Sequence, residues 1–160
     1  MFTFLPLLVR AQRLGWGDAE ACRLAVVLPL CGQLRRLELV QNSIGDAGLV
    51  ALAEALSRHG KWLVSLEQIR LSFNAYGAVG MRALAKCLSH RKRLPSLRLL
   101  KVSVQHEQLQ RICRARGIQL FYEGSRARLL ATKDSHSGDL QIFGTETDDS
   151  GAAATTSERG

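Results

Sequence analysis

The stretch LRRLELVQNSIGDAGLVALAEAL, residues 34–56, decides how the chain is built. Its first part alternates, so that Leu37 and Leu39 share one face of an extended segment while Arg36, Glu38 and Val40 share the other. Its last part sets Leu49, Leu52, Ala53 and Leu56 at the i, i+3, i+4, i+7 spacing of a helix face. Asn42 and a glycine-rich turn containing Gly45 and Gly48 separate the two. The same frame returns at a constant offset of 32: Leu66, Ile69, Leu71, Asn74, Tyr76, Gly77, Gly80, Leu84, Ala85 and Leu88 stand where Leu34, Leu37, Leu39, Asn42, Ile44, Gly45, Gly48, Leu52, Ala53 and Leu56 stood. Each unit is therefore a strand, a turn and a helix, and such a unit buries its apolar face only by stacking on a copy of itself.

Both units carry L-x-x-L-x-L-x-x-N-x-[IL], then a Gly-rich turn and A-L-A-x-x-L. The pattern resembles the ribonuclease-inhibitor type of leucine-rich repeat, which also occurs in NOD-like receptors and Ran-type GTPase-activating proteins. The resemblance implies an α/β solenoid of right-handed βα units, with a parallel sheet on the concave side and helices on the convex side. It implies that Asn42 and Asn74 bond backbone groups where the chain leaves each strand. It also implies protein recognition as the default activity.

The pattern erodes on both sides. Upstream, Gly17-Asp18-Ala19 and Leu24, Ala25 and Leu28 match the helix half, but Val9, Ala11 and Leu14 stand in place of two leucines and the asparagine. Residues 1–33 thus read as a degenerate repeat or cap. Repeats occupy 34–65 and 66–96. Residues 97–131 hold a last repeat and cap, with Gln105 where Asn is expected, a helix closed by Gly117 and a short strand over Ile118–Tyr122. Residues 132–160, rich in Ser, Gly, Thr and Asp, read as a disordered acidic tail.

Charge is uneven. The net +8 divides into +2 for residues 1–81, +10 for 82–128 and −4 for 129–160. The basic part attracts an anionic partner, is screened by the tail, or consists of cations such as Arg91, Lys92 and Arg93 at a helix C-terminus. Arg114, Arg116, Arg126 and Arg128 interleaved with Phe121 and Tyr122 make nucleic acid or another polyanion an alternative partner. No recognised RNA- or DNA-binding motif accompanies them.

Chemistry finds little footing. The sequence has no G-x-S-x-G, Walker A, H-E-x-x-H or G-x-G-x-x-G motif, and the expectation is a non-enzyme without cofactor or metal. Cys22, Cys31, Cys87 and Cys113 form no C-x-x-C pair, which favours reduced structural thiols, and Cys113 is placed in the core of the last helix. The first apolar run is too short to span a bilayer, so a cytoplasmic protein is expected, with no membrane partner. A GTPase-regulating role remains a minor alternative on the resemblance alone.

The candidate partner surface follows from strand alternation. Arg36, Glu38 and Val40 of the first full repeat, Gln68, Arg70 and Ser72 of the second, and Leu99, Lys101 and Ser103 of the third fall on the concave side, with Phe73 as an anchor beside them. Parallel stacking puts Glu38, Arg70 and Lys101 in one row and Arg36, Gln68 and Leu99 in another. Arg70 and Lys101 are the residues expected to meet an acidic protein.

Overall fold

The computed structural model describes residues 8–124. Five strands alternate with four helices: β1 (Leu8–Arg10), α1 (Asp18–Val27), β2 (Arg36–Glu38), α2 (Asp46–His59), β3 (Gln68–Arg70), α3 (Ala78–Ser89), β4 (Leu99–Val102), α4 (Glu107–Arg116) and β5 (Gln119–Tyr122). A short 3-10 turn, Leu28–Leu30, follows α1. The strands form one parallel sheet in sequence order. The expected short leucine-rich-repeat α/β solenoid is what the chain adopts. The acidic tail, Arg126 and Arg128 lie outside the described residues.

Leucines alternate into the space between sheet and helices. Leu37, Ile69 and Leu100 are buried at the centres of β2, β3 and β4, and Leu52, Leu56, Leu84 and Leu88 meet them from the helices. At roughly 1.5–3 kcal/mol for each fully buried aliphatic side chain, this continuous layer dominates the folding energy. The first unit has a strand even though leucines are missing from it. β1 pairs with β2, Val9 opposite Leu37, because ladder bonds are made by backbone, and Ala11 is small but buried.

The asparagines close the strand exits. Asn42 Oδ1 accepts from the amides of Leu14 and Trp16, both at 3.1 Å, and its Nδ2 donates to Ala11 O. Asn74 Oδ1 accepts from Ile44 N at 3.1 Å, while its Nδ2 donates to Leu39 O at 2.7 Å and Leu71 O at 2.9 Å. Each asparagine thus ties its own repeat to the one before it. Where Asn is absent, Tyr76 takes over: its hydroxyl donates to Leu71 O at 3.0 Å and accepts from Ser103 N at 2.9 Å. Burial pushes the Tyr76 phenol up to about 12, although its bonds to Ser103 pull the other way.

The glycine-rich segments are helix starts, which corrects the expectation of a turn. Gly45 and Gly77 are N-cap residues, and Gly48 and Gly80 lie within the first turns of α2 and α3. Glycine has no side chain to cap with, and the missing acceptor comes from the previous helix. Asp18 Oδ1 accepts from Gly45 N at 2.7 Å and Gly48 N at 2.8 Å, and Asp46 Oδ1 accepts from Gly77 N at 2.9 Å and Gly80 N at 2.6 Å. A carboxylate here meets both unpaired amides and the positive end of the helix dipole. The chain of caps stops at Ala78, the corresponding residue of α3. Helix α4 caps itself instead, with His106 Nδ1 accepting from Leu109 N at 3.3 Å. Gly117 closes α4 in the left-handed conformation, φ 70°, as expected.

Candidate functional site

The sheet face away from the helices is the concave face of the sequence reading. Its register sets side chains in rows, neighbours within a row standing about 4.8 Å apart. One row runs Leu8, Arg36, Gln68, Leu99, Gln119, and the other runs Arg10, Glu38, Arg70, Lys101, Phe121. The expected neighbours Arg36–Gln68–Leu99 and Glu38–Arg70–Lys101 are therefore brought together.

The two rows differ in freedom. In the first, Arg36 and Gln119 are exposed and Gln68 and Leu99 half-buried. In the second, Glu38 is only 2% exposed, which corrects the expectation of an open carboxylate. Arg10 Nε reaches it at 2.8 Å, Gln12 Nε2 at 2.9 Å and Arg70 at 3.5 Å, so long neighbours from two flanking strands cover it. Three donors on one carboxylate offset its desolvation. Arg10 and Gln12 escape the sequence reading because the first strand lacks the leucine frame that would have aligned it with Glu38.

Ser72 is also buried rather than presented on the surface. Val40 is half-buried. Ser103 acts in the scaffold: its Oγ accepts from Phe73 N at 2.7 Å. Phe73 holds φ 61° at the strand exit, as do Arg13 and Gln41 at φ 57° and 56° in the units before it. Its ring lies beside Gly124, where an added Cβ would meet Cε1 at 3.6 Å. Lys101 bonds Glu123 through Nζ and sits 5.5 Å from the centroid of Phe121, whose side chain is 46% exposed. Arg70 and Lys101, expected as open cations, are thus both paired within the chain.

The basic C-terminal half has partly structural work. Arg116 donates to the carbonyls of Leu88 at 3.0 Å, Arg93 at 2.7 Å and Leu94 at 2.9 Å, closing the C-terminal end of α3 and the turn after it. Arg93 donates to Ser57 Oγ, which links the α3–β4 connection to α2. Of the four arginines considered for nucleic acid, Arg116 is therefore occupied by backbone. Cys87 and Cys113 are buried, and desolvation pushes both thiols up to about 11, so neither is a ready nucleophile. Among the described residues no group of three or more His, Cys, Asp or Glu side chains is placed to hold a metal ion, and no helix is long and apolar enough to cross a membrane.

A family model described as Leucine Rich repeat matches residues 34–53, the segment from the start of the second unit into α2. A solved structure titled "Leiomodin-1 Actin-Binding Site 2 (ABS2)" is similar, with a TM-score of 0.56 over 79% of this chain and 77% of that chain. The chain is built of leucine-rich repeats. Identity to that structure is 16%, so the likeness is one of fold. A search of curated proteins finds no match. Leucine-rich repeats generally mediate contacts between proteins and are typically non-catalytic. In the two central repeats the leucines, Asn42, Asn74 and the four glycines are consumed by the scaffold.

Proposed function

We propose that this leucine-rich-repeat protein is a non-catalytic protein-binding module of the ribonuclease-inhibitor type whose partner docks on the open, concave sheet face. The observation that carries this reading is the row Leu8, Arg36, Gln68, Leu99, Gln119. Its side chains mix apolar and polar character, stand in adjacent strands, and among the described residues are not locked by ion pairs as the neighbouring row is. A rigid sheet that presents such a row loses little conformational entropy on binding. Phe121, exposed at the edge of the second row, adds an aromatic contact. The similar structure's title names an actin-binding site, which supports protein recognition by this architecture and makes actin a sensible first candidate. Four unpaired cysteines fit a reducing, cytoplasmic setting.

The test is recovery of bound proteins by the full chain, by the open-face variant Arg36→Glu/Leu99→Glu and by the helix-face variant Glu54→Arg. Partners that bind the sheet face are retained by Glu54→Arg and lost with Arg36→Glu/Leu99→Glu. Equal recovery by all three removes the sheet face from the reading.

A further inference from the structure

Glu123 follows the last strand, and its side chain turns back over the sheet. Oε1 accepts from Lys101 Nζ of β4 at 2.5 Å, and the Glu123 amide donates to Val102 O at 2.8 Å. Two further donors converge on the same place. Arg70 Nε and Ser72 Oγ are buried and have no hydrogen-bond partner among the described residues, and both side chains lie near enough to favour the charged form of Glu123. Burial alone would raise its pKa; the bond to Lys101, then Ser72, then the charges of Lys101 and Arg70 outweigh burial and hold it below the usual carboxylate range. Lys101 of β4 thus bonds the carboxylate directly, while Arg70 of β3, which also pairs with Glu38, and the buried Ser72 hydroxyl at the exit of β3 lie close enough to receive a ligand's carboxylate beside it.

We propose that Arg70, Ser72 and Lys101 form a binding site for an acidic side chain of the partner protein, and that Glu123 fills this site from within the chain until a partner carboxylate exchanges for it. The inference rests on the sheet face being the docking face. Exchange is physically cheap. The Lys101 and Glu123 side chains are 19% and 30% exposed, and a pair still in contact with water is weakly held. Glu123 also sits beyond the end of an edge strand and is followed by exposed Gly124, so its side chain can turn away while its amide keeps the bond to Val102 O. What keeps it in place is its tether, which gives it an effective concentration of about millimolar or more. A lone carboxylate in solution competes poorly with that. One delivered by a protein already seated on Arg36, Gln68 and Leu99 has a tether of its own and competes well. The device therefore requires a partner to satisfy the open row and the acidic position together.

The experiment is an NMR titration of the full chain with an N-acetylated tetraglutamate amide at low salt, following the amides of Ser72, Lys101 and Ser103. Glu123→Ala and Glu123→Gln are expected to bind the peptide about two- to sixfold more tightly than the native chain, since the internal competitor is gone. Adding Lys101→Ala to either should abolish the gain. Equal affinity with and without Glu123, a gain that survives Lys101→Ala, or shifts confined to Arg91–Arg93 would overturn the proposal. If Glu123→Ala loosens β5, seen as collapse of the Leu120–Tyr122 amide dispersion, the near-isosteric Glu123→Gln decides. The peptide is not the partner, so this titration and the Arg36→Glu/Leu99→Glu recovery succeed or fail separately.

Discussion

Asp46 and Gly80 belong to different helices, yet the carboxylate of one accepts the amide of the other at 2.6 Å. The same oxygen takes the Gly77 amide, so the start of α3 is capped from α2. Asp46→Ala should therefore destabilise the protein by about 1–2 kcal/mol, the usual range for a lost N-cap, without altering α2 itself. Chemical denaturation of the variant measures it, and Asp18→Ala should behave alike because Asp18 caps α2 in the same manner. A change below a few tenths of a kcal/mol would show that water replaces the carboxylate without loss.

Gly80→Ala tests the closeness of the helices. Alanine is the better helix former by about 1 kcal/mol, which taken alone predicts stabilisation. A Cβ at that position would lie 2.9 Å from Leu49 Cδ2 and 3.0 Å from Leu49 Cβ. Overpacking of this kind costs about 1–3 kcal/mol, so net destabilisation is expected. Gly48→Ala should be at least as severe, with Ala21 Cβ at 2.9 Å and the Asp18 carboxylate at 2.5 Å. The midpoint of thermal unfolding of each variant gives the sign directly.

Asn74 is fully buried and serves four backbone groups in two repeats, the bond to Ser72 O being the longest at 3.4 Å. Asn74→Ala leaves Ile44 N, Leu39 O and Leu71 O without that partner. Each unsatisfied buried group costs about 1–3 kcal/mol, and even partial repair by water leaves an expected loss above about 3 kcal/mol. Asn42→Ala should cost less, because its partners Leu14 and Trp16 lie nearer solvent. Equilibrium unfolding of the two variants ranks them.

Tyr76 makes stability depend on alkaline pH. Its phenol is raised from the ordinary value of 10 to about 12 in the folded protein. A raised acid holds its proton more tightly when folded, so its contribution is complete below pH 10 and disappears as pH rises through 12. The loss over that span is roughly 2–3 kcal/mol. Tyr76→Phe should remove this dependence and lower stability at neutral pH by about 1 kcal/mol, since Ser103 N and Leu71 O lose their shared hydroxyl. Ultraviolet titration of the phenolates together with unfolding at pH 9 and 11 checks both.

The repeat frame was legible because it is a local pattern repeated in register. Leu37 over Ile69 over Leu100, and the two rows of the open face, follow from alternation once the offset is seen. What escaped were relations between units. The sequence shows Asp18 and Asp46 at matching positions, but their role depends on which helix lies alongside, and each looks like an ordinary first-turn acid. The enclosure of Glu38 needed Arg10 and Gln12, whose strand has no leucine to reveal its register. Arg116 looked like a surface cation for the same reason: the carbonyls it reaches lie more than twenty residues back. The identity of Glu123 as an internal ligand depends on where the chain heads after its last strand.

Caps supplied by the preceding helix give the stack a polarity. Helix α2 needs α1 and α3 needs α2, whereas neither needs its successor for this interaction, and α4 supplies its own. Cooperativity through these N-terminal caps is thus vectorial: a lesion in α1 is inherited by α2, while loss of α4 leaves the start of every earlier helix capped.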